Sequence, residues 1–384
     1  MGFLGYRRPD GKCGVRNHVM VLSSVSCANG VVNAIGREVP EVKAVTHPEG
    51  CGRGIADVEI TGRTVAGLCN NPNVASILIV GLGCEFMKAP QLAEQVQASG
   101  KRVESLVIQE NGGTKKTTAR GIEIARDMLA ETGTLEREAC GWDKLILGLE
   151  CGGSDALSGV TANPLVGVAA DWLVARGGTV ILSETTEMIG TEEVLKKRAA
   201  TPEIGDKLYG MIKDHTAFVK EALGPFASMV ISPGNIEGGL TNITEKSLGC
   251  IIKGGTTPVV EVVDYGAQPS TAGLVIMDTP GSDVFSLTGM AAGGAQILLF
   301  TTGRGSPVGF PIAPVVKIAS NSELFNMMED DMDLNAGRLL EGVSIAHAGD
   351  ELVDLIKRVA EGEQPKAEAN LQDCLSIHTV GPAF

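Results

Sequence analysis

Five cysteines of this chain sit in or beside polar, glycine-rich segments. Cys27 lies in SCANG, Cys84 in GLGCE (81–85) and Cys151 in LECGGSD (149–155), each at or just past the end of an apolar run. HPEGCGRG (47–54) adds His47 and Cys51, and SLGC (247–250) adds Cys250. Thiols at strand ends, distant in sequence, converge when their strands lie side by side. Soft thiolates then favour iron, zinc or an iron–sulfur cluster. The competing use is packing, because free cysteine is a common small buried hydrophobe. No C-x-x-C pair is present, which excludes a zinc ribbon. Cys13, Cys69, Cys140 and Cys374 fall outside such loops and are expected to be inert.

The same segments carry acid–base and anion-binding groups. Glu85 and Glu150 each adjoin a cysteine, and Asp155 lies in a glycine-rich loop. His47 is the first choice for a general base, since an unperturbed imidazole titrates nearest neutrality. His18, His215, His347 and His378 read as structural. Arg16, Arg53, Lys88, Lys246, Lys253 and Arg304 adjoin glycine-rich segments, where a guanidinium or ammonium meets a carboxylate well. A solvated side chain is the plainer reading of each. Nucleotide fingerprints fail: GLGCEF has Phe86 where a small residue is required, GGTKKTT (112–118) lacks the Gly-Lys-Ser/Thr ending, and no G-x-S-x-G elbow exists.

These residues need elements to hold them. The 384 residues suggest two or three domains, and 43% hydrophobic against 20% charged residues allow a large core. Only 4% are aromatic, so Val, Ile, Leu and Ala must build that core. A net charge of −14 argues against a nucleic-acid or anionic-membrane surface. No apolar run is long enough to span a membrane, and no signal segment opens the sequence, so a cytoplasmic protein with thiols in a reducing compartment is expected. Strands are predicted over 18–26, 75–81, 102–109, 144–150, 179–184, 227–232, 259–264, 273–278 and 296–301. Helices are predicted over 29–37, 90–99, 117–131, 165–177, 205–223 and 350–363, with 132–143 as the linker. This alternation predicts an α/β protein of two open, mostly parallel sheet domains with helices on both faces, 1–135 and 136–384. Ligands in such sheets bind beyond the carboxyl ends of the strands.

Together the segments resemble the altronate/galactarate dehydratase family. The resemblance rests on YRRPDGKCGVRN (6–17), SVSCANG, HPEGCG, VGLGCE (80–85), LECGGSDALSGVTANPLVG (149–167) and SPGNIEGGLTNITEKSLGC (232–250). It continues through TPGSDVFSLTG (279–289), LLFTTGRGSPVG (298–309), PVVKIASNSE (314–323) and MDLNAGRL (332–339), in consistent order over nearly the whole chain. It implies a metal-dependent hydro-lyase that removes water from a 2,3-dihydroxy sugar acid to give a 2-keto-3-deoxy acid. The implied cofactor is iron, as mononuclear Fe2+ or an iron–sulfur cluster, with Mn2+ as an alternative ion. The implied ligands are Cys27, Cys51, Cys84, Cys151 and Cys250. His47, Glu85, Asp155 and Lys246 are the catalytic candidates, and Arg16, Arg53, Asn163, Asn235 and Arg304 the substrate-binding ones. Two departures bear on identity. The sequence starts directly at GYRRPDG, without the family's small N-terminal domain, so a separate small subunit is expected, as in sulfolactate sulfo-lyase, a relative that expels sulfite. Ala295-Gln296 also stands where altronate dehydratases have Cys-His. The alternatives are therefore a sulfo-lyase large subunit or a non-catalytic sugar-acid-binding subunit. A homo-oligomer acting on a small hydroxy-carboxylate, with neither nucleic acid nor membrane as partner, completes the expectation.

Overall fold

Runs such as SILIV (76–80) have no polar face, so they are stable as strands only when covered on both sides. The computed structural model, which describes residues 2–384, places them in two parallel sheets. Strands β1 (Gly2–Arg7) and β2 (Cys13–Gly14) precede the first of these. It comprises β3 (His18–Ser23), β4 (Lys43–Val45), β5 (Val74–Gly81) and β6 (Arg102–Val107), in the order β4-β3-β5-β6. Helices α1 (Asn29–Glu38), α2 (Ile55–Asn70), α3 (Ala89–Gln97) and α4 (Thr114–Thr132) connect or follow these strands. Alternation along the strands assigns the faces. Val19, Val21, Leu78 and Val80 pack on α1 and α4. Met20, Leu22, Ile77 and Ile79 pack on α2 and α3.

After β7 (Glu138–Gly141), the larger sheet comprises β8 (Ile146–Cys151), β9 (Thr179–Leu182), β10 (Val259–Val263), β11 (Leu274–Met277), β12 (Ile297–Thr302), β13 (Val315–Ala319) and β14 (Leu334–Asn335). Its order is β10-β11-β9-β8-β12-β13-β14, parallel throughout. Its helices are α5 (Ala162–Val174), α6 (Glu192–Arg198), α7 (Pro202–Leu223), α8 (Pro233–Glu237), α9 (Ile243–Cys250), α10 (Asp283–Ala292), α11 (Ser322–Met327) and α12 (Ile345–Ala360). Leu165 of α5 and Ile356 of α12 join the core on one face. On the other, Leu287 and Met290 of α10 share one core with Val65, Leu68 and Leu92 of the smaller domain. The order in which successive strands are added reverses between β3 and β5 in one sheet and between β8 and β12 in the other, which opens a crevice at each point.

Three expectations are corrected. The stretch 227–232 is not a strand: Gly224–Val230 forms a 3-10 turn, and Ser232 then caps α8, so the segment has no sheet neighbour. The linker 132–143 contains β7, which pairs antiparallel with β1. Phe3 lies against Trp142 with ring centres 5.2 Å apart and shares its core. Cys13 and Cys140 are not free thiols but a disulfide joining β2 to β7. Conversely, β13 emerges from PVVKIAS, where Lys317 masks an otherwise apolar run. No helix among the described residues is long and apolar enough to cross a membrane.

Candidate functional site

The carboxyl ends of β8 and β9 gather a dense set of ionisable side chains. β8 delivers Glu150 and Cys151. Beyond β9, Glu184 takes a left-handed backbone (φ +67°), a strained conformation for a side chain of its size. That turn aims Glu184 and Glu187 back at the strand ends. The Cys151 amide donates to Glu184 Oε2 at 3.0 Å, and the Cys151 thiol donates to Glu187 Oε2 at 2.7 Å. α9 and the turn after it add Lys246, Cys250 and Lys253. Cys250 Sγ lies 3.4 Å from Cys151 Sγ. Lys246 Nζ lies 2.7 Å from Glu187 Oε1, and Lys253 Nζ lies 3.3 Å from Glu184 Oε2 and 3.6 Å from Glu187 Oε2.

Burial sets the charge states. It works to raise the Glu187 carboxyl, but Lys246 and Lys253 together outweigh it and hold the group down at about 2. Burial and the Glu187 charge push Glu184 up to about 7 despite Lys253. Burial, then Cys250, raises the Cys151 thiol well above its usual range. Next door, burial with the neighbouring Glu184 and Asp283 raises Glu150 well above the carboxylate range. Ser286 Oγ donates to Glu150 Oε2 at 2.5 Å, and Glu150 Oε1 has no partner.

A cavity of about 270 Å³ reaches this set at Lys246 and Cys250, and Asp155, Asn163 and Gly249 also line it. The other sequence candidates around it are engaged by neighbouring protein groups. Asp155 accepts from Ser158 N (2.8 Å), Ser158 Oγ (2.7 Å), Ser320 Oγ (2.8 Å) and Asn321 Nδ2 (3.1 Å), clamping the loops after β8 and β13. Asn163 donates to Gly249 O at 3.0 Å and accepts from Thr301 at 2.7 Å. Asn235 donates to Ser154 O at 3.0 Å and accepts from Lys246 Nζ at 3.2 Å, which positions the ammonium. Arg304 is exposed and meets Glu237 at 2.8 Å.

The remaining candidates lie on the smaller domain. His47 is buried with both ring nitrogens engaged: Nε2 donates to Ser23 O at 2.8 Å and Nδ1 accepts from Glu49 N at 3.2 Å. Burial lowers its pKa, and both ring nitrogens are held by backbone groups. Glu85 accepts from Ser24 Oγ at 3.0 Å and Gly83 N at 2.6 Å. Arg53 forks onto Glu49 at 2.7 and 3.0 Å. Arg16 is not at a ligand edge. Its guanidinium is buried against Glu368 at 2.8 and 2.7 Å and donates to the carbonyls of Val15, Val359 and Glu363. Cys27, Cys51 and Cys84 are exposed on this domain, apart from the buried Cys151–Cys250 pair. Sequence reasoning passed over Glu184 and Glu187. The signal was LSETTEM (182–188), two acids directly after a strand, without the cysteine or glycine that marked the other loops.

Residues 142–383 match the family model for the C-terminal part of D-galactarate/altronate dehydratase, and residues 5–133 match that for the second domain of D-galactarate dehydratase/altronate hydrolase. The chain belongs to the D-galactarate/altronate dehydratase family. It is 36% identical over 381 residues to altronate dehydratase of Bacillus subtilis (strain 168), covering 96% of this chain and 76% of the relative. Galactarate dehydratase (L-threo-forming) of Escherichia coli (strain K12) is 36% identical over 383 residues, covering 94% and 73%. The (2R)-sulfolactate sulfo-lyase subunit beta of Chromohalobacter salexigens is 34% identical over 370 residues, covering 96% and 94%. These relatives are lyases, and this chain is an enzyme of that class, which sets aside the purely binding reading. The Ala295-Gln296 departure falls at the start of β12, at the opposite end of the sheet from the ionisable set. There Gln296 is a tie: its amide donates to Cys13 O and Lys144 O and accepts from Ile146 N.

Proposed function

We propose that this lyase removes water from a 2,3-dihydroxy sugar acid of the altronate or galactarate type, giving a 2-keto-3-deoxy acid, at the β8–β9 edge. The observation that carries the proposal is the pair of ammonium groups, Lys246 on the cavity wall and the fully buried Lys253, held against Glu187 and Glu184. A proton alpha to a carboxylate is only weakly acidic, so fixed cations must stabilise the enediolate that forms. Lys246, at the cavity wall, meets the substrate carboxylate, and Lys253 adds charge from beneath. Glu184, poised near 7, takes the C2 proton on a carboxylate oxygen and returns it to the departing C3 hydroxyl. Asn235 holds Lys246 in place, and the Asp155 clamp fixes the loops after β8 and β13 that border the cavity.

The iron that the family resemblance implies fits Cys151, Cys250 and Glu187. Their donor atoms lie within 4.8 Å of one another. With both thiols and both of Glu184 and Glu187 ionised, four negative charges face the two ammonium groups, and one divalent ion closes the sum. A mixed sulfur and oxygen set suits Fe2+. Bound there, the ion would supply Lewis acidity toward a substrate oxygen.

The test is turnover of altronate and galactarate by the anaerobically purified chain supplied with Fe2+, read as 2-keto-3-deoxy acid. Lys246→Met, with the fold intact by circular dichroism, is expected to lower kcat by about 10²–10³-fold. Undiminished kcat in that variant would overturn the assignment. A second reading, sulfite release from sulfolactate, is supported by the sulfo-lyase subunit that this chain matches over 94% of its length. The same assay with sulfolactate separates the two leaving groups. That relative's designation as a subunit also supports a small second subunit, which co-purification from the source cell would capture.

A further inference from the structure

The two thiols of the β8–β9 site touch each other. Cys151 Sγ lies 3.4 Å from Cys250 Sγ, and both are free cysteines. They belong to different elements, since Cys151 ends β8 and Cys250 ends α9. Bonded sulfurs stand about 2.0 Å apart, so an approach of roughly 1.4 Å would join them. Such a bond would tie the strand end to the helix that carries Lys246.

The surroundings offer a way in for a small oxidant and a place for a proton. Cys250 is on the wall of the 270 Å³ cavity, and Cys151 is not, so an oxidant entering there meets the Cys250 sulfur first. The Cys151 thiol donates to Glu187 Oε2 at 2.7 Å, which gives its proton a carboxylate to leave on. Lys246 and Lys253 pair with that carboxylate at 2.7 and 3.6 Å and keep it fixed beside the sulfur. A buried thiol reacts slowly with an oxidant by itself. Here the second sulfur is already in contact with the first, so the step that closes the bond is intramolecular.

We propose that Cys151 and Cys250 are a reversible redox pair, which a hydroperoxide closes into a disulfide across the β8–β9 site and a dithiol reopens. Cys250 Sγ attacks the peroxide O–O bond, is oxidised to a sulfenic acid and releases one water from hydrogen peroxide. Cys151 Sγ then attacks the sulfenic sulfur. The S–S bond forms, the S–O bond breaks, and the departing hydroxide takes the Cys151 proton by way of Glu187 as a second water. Two thiols and one hydrogen peroxide thus give one disulfide and two waters. Closure withdraws both sulfurs from the Cys151/Glu187/Cys250 set. The bond stands on the contact alone, and only its effect on turnover rests on the proposed function.

The test exposes the chelator-treated full chain to hydrogen peroxide, alkylates it in denaturant and digests it without reductant. Mass spectrometry is expected to find the Cys151 peptide joined to the Cys250 peptide, with dithiothreitol returning both to the alkylatable form. Cys151→Ser and Cys250→Ser should each lose the joined peptide, while Cys374→Ser keeps it. Linkage of Cys151 to Cys250 is read directly in the native chain, so the answer does not depend on a variant folding. Full alkylation of both thiols after peroxide, oxidation of Cys250 beyond sulfenic acid without a link, or a link from either one to another cysteine would overturn the proposal. Fe2+-supplied turnover of sugar acid should fall as the link forms and recover with dithiothreitol. A chain that forms the link but dehydrates no sugar acid before peroxide would sink the proposed function and leave the redox pair standing.

Discussion

Burial, more than residue type, decides what each ionisable group of this lyase does. Glu187 and Glu184 stand within one turn of each other, yet one is held at about 2 and the other at about 7, because the lysines favour the first and its charge burdens the second. His47 shows the converse, an imidazole whose type promises proton transfer and whose two ring nitrogens are both held by backbone groups. Lys317 is a cleaner case away from the thiols. Its Nζ lies 3.3 Å above the Phe300 ring centre, has no hydrogen-bond partner, and is pushed by burial down to about 7. In the unfolded chain the same amine titrates near 10.5. Below pH 7 both states are protonated and the full cost of the buried ammonium is present. Between pH 7 and about 10 the unfolded chain binds the extra proton, so stability rises with pH. Lys317→Met should therefore be more stable than the native chain at pH 6, by an amount on the order of a few kcal/mol, and the gain should fade toward pH 10. Urea titrations at the two pH values check this, and a gain independent of pH would refute it.

At the scale of elements, the site depends on loops held by side chains rather than by further secondary structure. The turn after β9 is bent by Glu184 itself, while the loops after β8 and β13 are joined through Asp155. Each charge-assisted bond to that carboxylate contributes more than a neutral one. Asp155→Ala is expected to cost about 2–4 kcal/mol of stability and to raise KM for the substrate, since the cavity wall loosens, while kcat stays within about tenfold of native. A collapse of kcat with unchanged stability and KM would return Asp155 to the catalytic list. These roles were only partly legible. The strand-to-loop order exposed Cys151, Asp155 and Lys246, because each sits beside a glycine-rich break. Glu184 and Glu187 were missed because their loop lacks such a break, and their charge states depend on Lys246 and Lys253, far along the chain.

Across the whole molecule, the two sheets are bound by more than their shared core. β1 pairs with β7, Gln296 reaches back to Cys13, and the tail beyond α12 returns to the smaller domain, where Val380 N meets Asp57 Oδ1 at 2.6 Å. The firmest tie is Arg16 with Glu368, its salt-bridge contact at 2.7 Å and both side chains largely buried. Removing one member leaves the other charge uncompensated, so Arg16→Ala should lose about 3–5 kcal/mol in chemical denaturation. KM of the folded fraction should not change. A shift in KM without loss of stability would instead make Arg16 a substrate contact.

Composition, run length and punctuation were enough for the α/β class and most strands of both parallel sheets, because burial on two faces leaves an apolar run, although the stretch 227–232, in part a 3-10 turn, imitates one. The order of motifs was enough for the family. Neither could say that five cysteines divide into an exposed trio on one domain and a buried pair on the other. Strand order is set by packing between segments far apart in the chain, and a residue's own neighbours carry no record of it. The same reason hid the true setting of Arg16 and His47: local sequence shows which groups a side chain offers, whereas their occupation depends on which distant carbonyls and carboxylates the fold brings within reach.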